Sequence, residues 1–151
     1  MTRKNIMAIA SSGGHNVQLT RLTSKLTISE GELIHIRTRL NSSDKAAKFN
    51  EFLIDDMSRD NPSKCIKISF QLIKLILEHK PKLIITTGAL PGLIGIILGR
   101  VFFVRTIWLD SIANTQKLSL SGRIAQYFAH EILTQWPNLS NNNVKYYGNV
   151  L

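Results

Sequence analysis

Short uninterrupted apolar runs alternate along this chain with stretches whose apolar residues recur at helical spacing. Ile6-Met7-Ala8-Ile9-Ala10 is one such run, the mark of a strand covered on both faces. Ser11-Ser12-Gly13-Gly14-His15 then turns the chain, and Val17, Leu19, Leu22 and Leu26 line one face of a helix. Residues 32–36 predict a second strand. Asp44 is placed as the N-cap of a helix carrying Ala46, Ala47, Phe49, Phe52 and Leu53. Past the break at Asn61-Pro62-Ser63, residues 65–68 predict a short strand. Phe70, Leu72, Ile73, Leu75, Ile76 and Leu77 predict an apolar helix that ends near Lys80-Pro81. Further strands are expected at 83–86, 106–109, 131–134 and 144–147, with helices from Pro91 to about Arg100 and over 120–128. This alternation predicts an α/β fold: a Rossmann-like parallel sheet with helices on both faces and right-handed crossovers.

The most apolar segment, 83–104, is interrupted by Thr86, Thr87, Gly88, Pro91, Gly92 and Arg100. A transmembrane helix needs about 20 unbroken apolar residues. The segment therefore reads as a buried strand, a turn and a short apolar helix. The N-terminus has neither the length nor the cleavage site of a signal peptide. With 151 residues and 44% hydrophobic content, one domain spanning 1–151 is expected. Nineteen Lys and Arg against ten Asp and Glu give a net charge of +9, which points to an anionic partner: nucleic acid, an anionic membrane surface or a phosphorylated substrate. No nucleic-acid motif is present, so nucleic acid is not expected. Cys65 is the single cysteine, which implies no intrachain disulfide and a reducing compartment. His15, His35, His79 and His130 lack metal-ligand spacing, so neither a metal nor a cofactor is expected.

Ligands of open α/β sheets bind at the carboxyl ends of the strands. Three loops lie there. In the first, Ser11, Ser12, Gly13, Gly14 and His15 join strand to helix; glycines allow close backbone approach, and the helix N-terminus attracts anions. The alternative is a tight turn without a ligand. The loop is neither G-x-G-x-x-G nor a Walker A motif. The second loop, 87–92, contributes Thr87 and Gly88 as another wall of the same cleft, or simply connects strand to helix. The third holds Asp110, Ser111 and Asn114; Asp110 either accepts sugar hydroxyl protons or acts as a base, or is an N-cap or turn aspartate. After Pro91, the residues Leu93 and Ile97 with Arg100, Phe102, Phe103 and Arg105 fit a surface dipping into an anionic membrane. They fit equally a helix buried against the sheet with basic ends.

Read in order, Ser12-Gly13-Gly14-His15, Thr87-Gly88, Pro91-Gly92, the run Leu118-Ser119-Leu120-Ser121-Gly122-Arg123, then Gln135-Trp136-Pro137 and Tyr147-Gly148 resemble the PssD-type polysaccharide biosynthesis proteins. The chain is similar also to the anchor subunit of the two-part N-acetylglucosaminyltransferase of N-glycan assembly and, more distantly, to the N-terminal domain of MurG. The resemblance runs through nearly the whole chain and is strongest over 110–148. It implies the N-terminal half of a GT-B glycosyltransferase that transfers a sugar from a UDP-sugar to a polyprenyl-diphosphate-linked glycan. It implies further a peripheral position on the cytoplasmic face of the inner membrane. A PssE-like partner would supply the nucleotide-sugar site, because this chain holds one half of a two-domain cleft. Gly13, Gly14 and His15 would line the acceptor cleft near the diphosphate, with His15 as base. Two positions depart from the family: Asp110-Ser111 stands where Glu-Ser is usual, and Asn114 where Arg is frequent. A shorter carboxylate and a lost guanidinium change which acceptor the cleft takes. Two other readings are a non-catalytic membrane adaptor that recruits and stabilises the catalytic subunit, and a stand-alone nucleotide-binding module.

Overall fold

The computed structural model describes residues 4–46, 50–56 and 63–150. Seven strands form one sheet: β1 (Ile6–Ala10), β2 (Leu33–Thr38), β3 (Glu51–Ile54), β4 (Leu83–Thr86), β5 (Arg105–Leu109), β6 (Glu131–Thr134) and β7 (Val144–Tyr146). Their order is β3-β2-β1-β4-β5-β6-β7, and every neighbouring pair is parallel. The helices are α1 (Gly14–Ser24), α2 (Ser63–His79), α3 (Ala89–Val101) and α4 (Leu120–Ala125).

Alternation along β1 shows how the layers form. Met7 and Ile9 point into a cluster with Ile68, Leu72, Leu75 and Ile76 of α2. Ala8 and Ala10 point the other way, toward Leu19 of α1. Helix α3 packs against both α2 and α4, so these three share one face while α1 covers the other. A strand buried on both sides has no room for a polar stripe, which is why β1 and β4 are continuous apolar runs.

Two expected elements differ. The helix placed after Asp44 is not formed: residues 44–46 are irregular, and Phe52 and Leu53 lie in strand β3; Ala47 and Phe49 fall outside the described residues. Asp44 caps no helix because its carboxylate is held by Arg37 at 2.6 and 3.0 Å and accepts the Leu40 N–H at 2.8 Å. Residues 65–68 are the start of α2, not a strand. Ile68 already belongs to the stripe that Leu72, Leu75 and Ile76 continue at helical spacing.

The Arg37 guanidinium joins Asp44 to Glu51, with Arg37 Nε 3.0 Å from Glu51 Oε1. Arg37 lowers the Asp44 carboxyl from 3.8 to about 2, chiefly through its hydrogen bonds. A depressed carboxyl favours the folded state above its ordinary value, and that contribution disappears as pH falls from about 4 toward 2. Acid titration followed by circular dichroism is expected to show this limb, and Asp44→Asn to remove it.

Candidate functional site

Strand order reverses between β1 and β4: the chain moves one way from β1 through β2 to β3, and the other way from β4 to β7. Such a reversal splays the loops at the carboxyl ends apart and opens a crevice. Here the two splayed loops lead into α1 and α3.

Both helices begin alike. The N-cap of α1 is Gly13, with φ 88°, and that of α3 is Gly88, with φ 127°; neither helix has a side-chain cap. A left-handed or wider φ favours glycine, which has no Cβ to clash. By contrast, Ser119 Oγ caps α4 by accepting the Gly122 N–H at 2.9 Å. First-turn amides carry partial positive charge, so the uncapped N-terminus of α1, where Gly13 and Gly14 are exposed, makes a place for an anion. Ala89, next to Gly88, sits in the left-handed region at φ 61°, a strain of about 1–3 kcal/mol held in place by the surrounding fold.

His15 links the two loops. Its Nδ1 lies 2.9 Å from the Thr87 carbonyl oxygen, and Thr87 Oγ1 donates to the His15 carbonyl at 2.6 Å. A carbonyl only accepts, so Nδ1 carries the proton and Nε2 presents its lone pair. Nε2 takes no hydrogen bond among the described residues and is not buried. The ring fits because position 88 is glycine: a Cβ there would lie 2.8 Å from ring atoms Nδ1 and Cε1.

The sequence-derived candidates divide into two groups. Ser11 and Ser12 are half-buried, Gly13 and Gly14 exposed and His15 half-buried, and these five form the open rim of the crevice. Ser12 is fastened to the end of β2, its N–H bonding Thr38 Oγ1 at 2.9 Å and its hydroxyl donating to the Thr38 carbonyl. Thr87 and Gly88 are buried, so they back the histidine and do not form the second wall expected of them.

Asp110 is also a correction. It is 1% exposed, and its oxygens receive four donors: Trp108 Nε1, Ser119 Oγ, Asn114 Nδ2 and the Ser119 N–H, at 2.6–3.0 Å. Those bonds occupy the carboxylate, leaving it no role on a sugar hydroxyl. Asn114 belongs to that ring of donors, and buried Ser111 accepts from Gln18 Nε2 at 3.3 Å. Gly122 permits the arrangement, since a Cβ there would sit 2.5 Å from Asp110 Oδ1.

Sequence reasoning gave Gln135 no role of its own, while Trp136 packs within the domain, as its sequence context suggests. Gln135 Nε2 donates to Gln18 Oε1 at 2.7 Å and to the Asp110 carbonyl at 3.0 Å, and its Oε1 accepts the Val150 N–H at 3.1 Å. Trp136 Nε1 donates to the Ile112 carbonyl at 2.7 Å. Their signal was the Gln-Trp-Pro motif, a polar residue amid a strand end. Also missed was an open cleft of about 330 Å³ beside the first loop, lined by Ser12, Gly13, Asn16, Thr20 and the Arg37–Glu51 pair.

The expected membrane residues are only partly available. Leu93 is buried, and Ile97 and Phe102 pack against core clusters, because α3 is sandwiched between α2 and α4. Arg105 pairs with Glu131 at 2.5 Å. Arg100 and Phe103 are exposed. Among the described residues, no helix is long and apolar enough to cross a membrane, and no group of three or more His, Cys, Asp or Glu side chains is placed to hold a metal.

Comparison with known proteins gives a consistent picture. The family model described as oligosaccharide biosynthesis protein Alg14 like matches residues 57–150, more than half of the chain. The UDP-N-acetylglucosamine transferase subunit ALG14 of Yarrowia lipolytica is 25% identical over 173 residues, covering 95% of this chain and 79% of that one. The human protein of the same name is 22% identical over 175 residues, covering 93% and 79%. Among solved structures, Acinetobacter baumannii MurG superposes with a TM-score of 0.79 at 15% identity, over 98% of this chain and 46% of MurG. The UDP-GlcNAc 2-epimerase of Methanocaldococcus jannaschii, in complex with UDP-GlcNAc and UDP, superposes with a TM-score of 0.71 at 10% identity, over 96% and 46%. The chain spans under half the length of these two solved chains. At such identities the likeness is one of fold: the sheet has the Rossmann-like architecture of GT-B proteins. The chain belongs to the Alg14-like family of oligosaccharide biosynthesis proteins.

Proposed function

We propose that this chain is the acceptor-binding, membrane-associating subunit of a heteromeric glycosyltransferase, which moves a sugar from a UDP-sugar to a polyprenyl-diphosphate-linked glycan in polysaccharide biosynthesis. The observation that supports the reading most is the meeting of the exposed, uncapped N-terminus of α1 with a histidine of fixed tautomer at the switch point of the sheet. The curated relatives are named as subunits of a UDP-N-acetylglucosamine transferase, which supports both the chemistry and the need for another chain.

In this reading the amides around Gly13 and Gly14 hold the acceptor diphosphate, where the α1 N-terminus offers donors and a favourable dipole. The acceptor hydroxyl comes within reach of His15 Nε2. As its oxygen attacks the anomeric carbon of the donor sugar, the proton passes to Nε2 and the bond from that carbon to the UDP oxygen breaks. A PssE-like partner supplies the nucleotide-sugar site. Attachment is peripheral, at the cytoplasmic face of the inner membrane.

The test is reconstitution with the product of a neighbouring gene that co-purifies with this chain. The complex should transfer sugar to a polyprenyl-diphosphate acceptor, and the chain alone should neither transfer nor bind UDP-sugar. Robust transfer by the purified chain without a partner contradicts the proposal.

A further inference from the structure

We infer that the cleft between α1 and the β2–β3 pair is a specificity subsite: it takes the edge of the acceptor sugar turned away from His15, and it takes only an uncharged one. The inference rests on the acceptor-binding reading above and names the substrate class of that same site. The cleft has a structural origin. In-register pairing sets His35 beside Ala8 and Arg37 beside Ala10, so these β2 side chains share the face of the sheet that α1 covers. Helix α1 lies over β1, while α2, α3 and α4 occupy the opposite face. Beyond α1, β2 and β3 therefore floor an open cleft of about 330 Å³, the scale of a small-molecule site. Its floor is polar and buried: His35, Arg37 and Glu51 are 8–9% exposed. Burying charge is costly, and these groups add nothing to an apolar core.

Chemistry selects the occupant. Arg37 Nε donates to Glu51, Nη1 to Asp44 and the Thr38 carbonyl, and Nη2 to Asp44 and the Lys45 carbonyl, at 2.6–3.4 Å. Those bonds engage every N–H of the guanidinium, so no cationic donor remains for a carboxylate or phosphate on the ligand. With His35 neutral, only Arg37 and Glu51 carry a full charge among the described residues lining the cleft, and at 3.0 Å they offset each other. The wall offers neutral hydrogen bonding instead. Asn16 and Thr20 stand one turn apart on α1, both lining the cleft. Asn16 Oδ1 is buried and takes no hydrogen bond among the described residues, which leaves an amide uncommitted to the fold. A sugar hydroxyl or acetamido group matches such an amide.

Position ties the cleft to the reaction. Ser12 and Gly13 line it and also belong to the rim of the crevice. Strands β2 and β4 flank β1 on opposite sides, and His15 is held on the β4 side by Thr87. A sugar whose diphosphate sits on the Gly13 and Gly14 amides, with its reacting hydroxyl at His15 Nε2, thus turns its other edge toward Asn16.

Nuclear magnetic resonance of the isotope-labelled full chain tests the site. Methyl glucoside and methyl N-acetylglucosaminide, each at about 10 mM as the weak affinity of a single ring requires, are expected to shift the Asn16 side-chain amide and the Thr20 N–H. Glucuronate at the same concentration should leave both signals in place. Asn16→Ala, folded by circular dichroism, should raise the acceptor KM of the reconstituted complex about 10-fold, with kcat and the donor KM near their parental values. Thr20→Val is the second variant, expected to act in the same direction and used alone should Asn16→Ala fail to fold. Glucuronate binding as well as the neutral glycosides, or no shift with any of the three, overturns the proposal. So does an unchanged acceptor KM in a folded variant that still transfers sugar, an outcome that leaves the transferase reading standing. A complex that transfers nothing, while the neutral glycosides still shift Asn16, overturns the transferase reading and keeps the neutral-sugar site.

Discussion

Replacing His15 by alanine is expected to lower sugar transfer by the reconstituted complex about 100-fold, the usual scale of lost acid–base assistance, with the two chains still assembled. The argument is geometric. The Thr87 carbonyl fixes the proton on Nδ1, so Nε2 faces the crevice as a lone pair without a conformational search. Truncation removes that acceptor and leaves the uncapped amides of α1 in place. Diphosphate binding should therefore persist, so the loss falls on kcat more than on KM. Thr87 still finds the His15 backbone carbonyl through its hydroxyl, which keeps the loops joined. If the His15→Ala complex retains near-normal transfer, the chain acts as an adaptor and the base assignment fails. Long-range nitrogen–proton NMR of the His15 ring supplies a direct check, expected to place the proton on Nδ1.

Asp110→Ala is expected to destabilise the chain by about 4 kcal/mol, read as a shift of the urea midpoint. Four donors lose their acceptor at once, three of them side-chain groups and one the N–H of Ser119, and unsatisfied buried groups cost about 1–3 kcal/mol each, less what water recovers. Against a total stability of about 5–15 kcal/mol, that loss leaves a marginal protein. Asp110→Asn keeps the volume but aims an NH₂ at neighbouring donors, so it should restore only part of the difference. A variant as stable as the parent, with lost activity, would return Asp110 to the chemistry.

These two aspartate and histidine cases also show how far a sequence carries. The strands and the alternation were legible because burial on both faces demands continuous apolar runs such as residues 6–10. Residues 44–53 misled because Asp44 has the chemistry of an N-cap, and only the fold shows Arg37, seven positions earlier, claiming its carboxylate. The glycine loops were legible as turns, since a strand followed by Gly-Gly admits few other conformations. Their division of labour was not: whether Thr87 lines the crevice or backs His15 depends on contacts spanning 72 positions. Likewise the motifs Leu-Ser-Leu-Ser-Gly and Gln-Trp-Pro carry the resemblance without showing which groups they hold. In the fold Ser119, Gly122, Gln135 and Trp136 tie the loop after β5 to its neighbours. Helix α2 was legible as apolar over 70–77, but periodicity alone does not show which of its faces meets the sheet.

The parallel pairing of β1 with β4 carries a lesson about biogenesis. As the polypeptide leaves the ribosome, β1, α1, β2 and β3 are all made before β4, and they pair among themselves first or wait. His15 is synthesised early yet acquires its tautomer-setting neighbour only after Thr87 follows, so in the half-made molecule its ring is not yet held. The ring is fixed late, together with the closure of the sheet's longest loop, a slow step by topology.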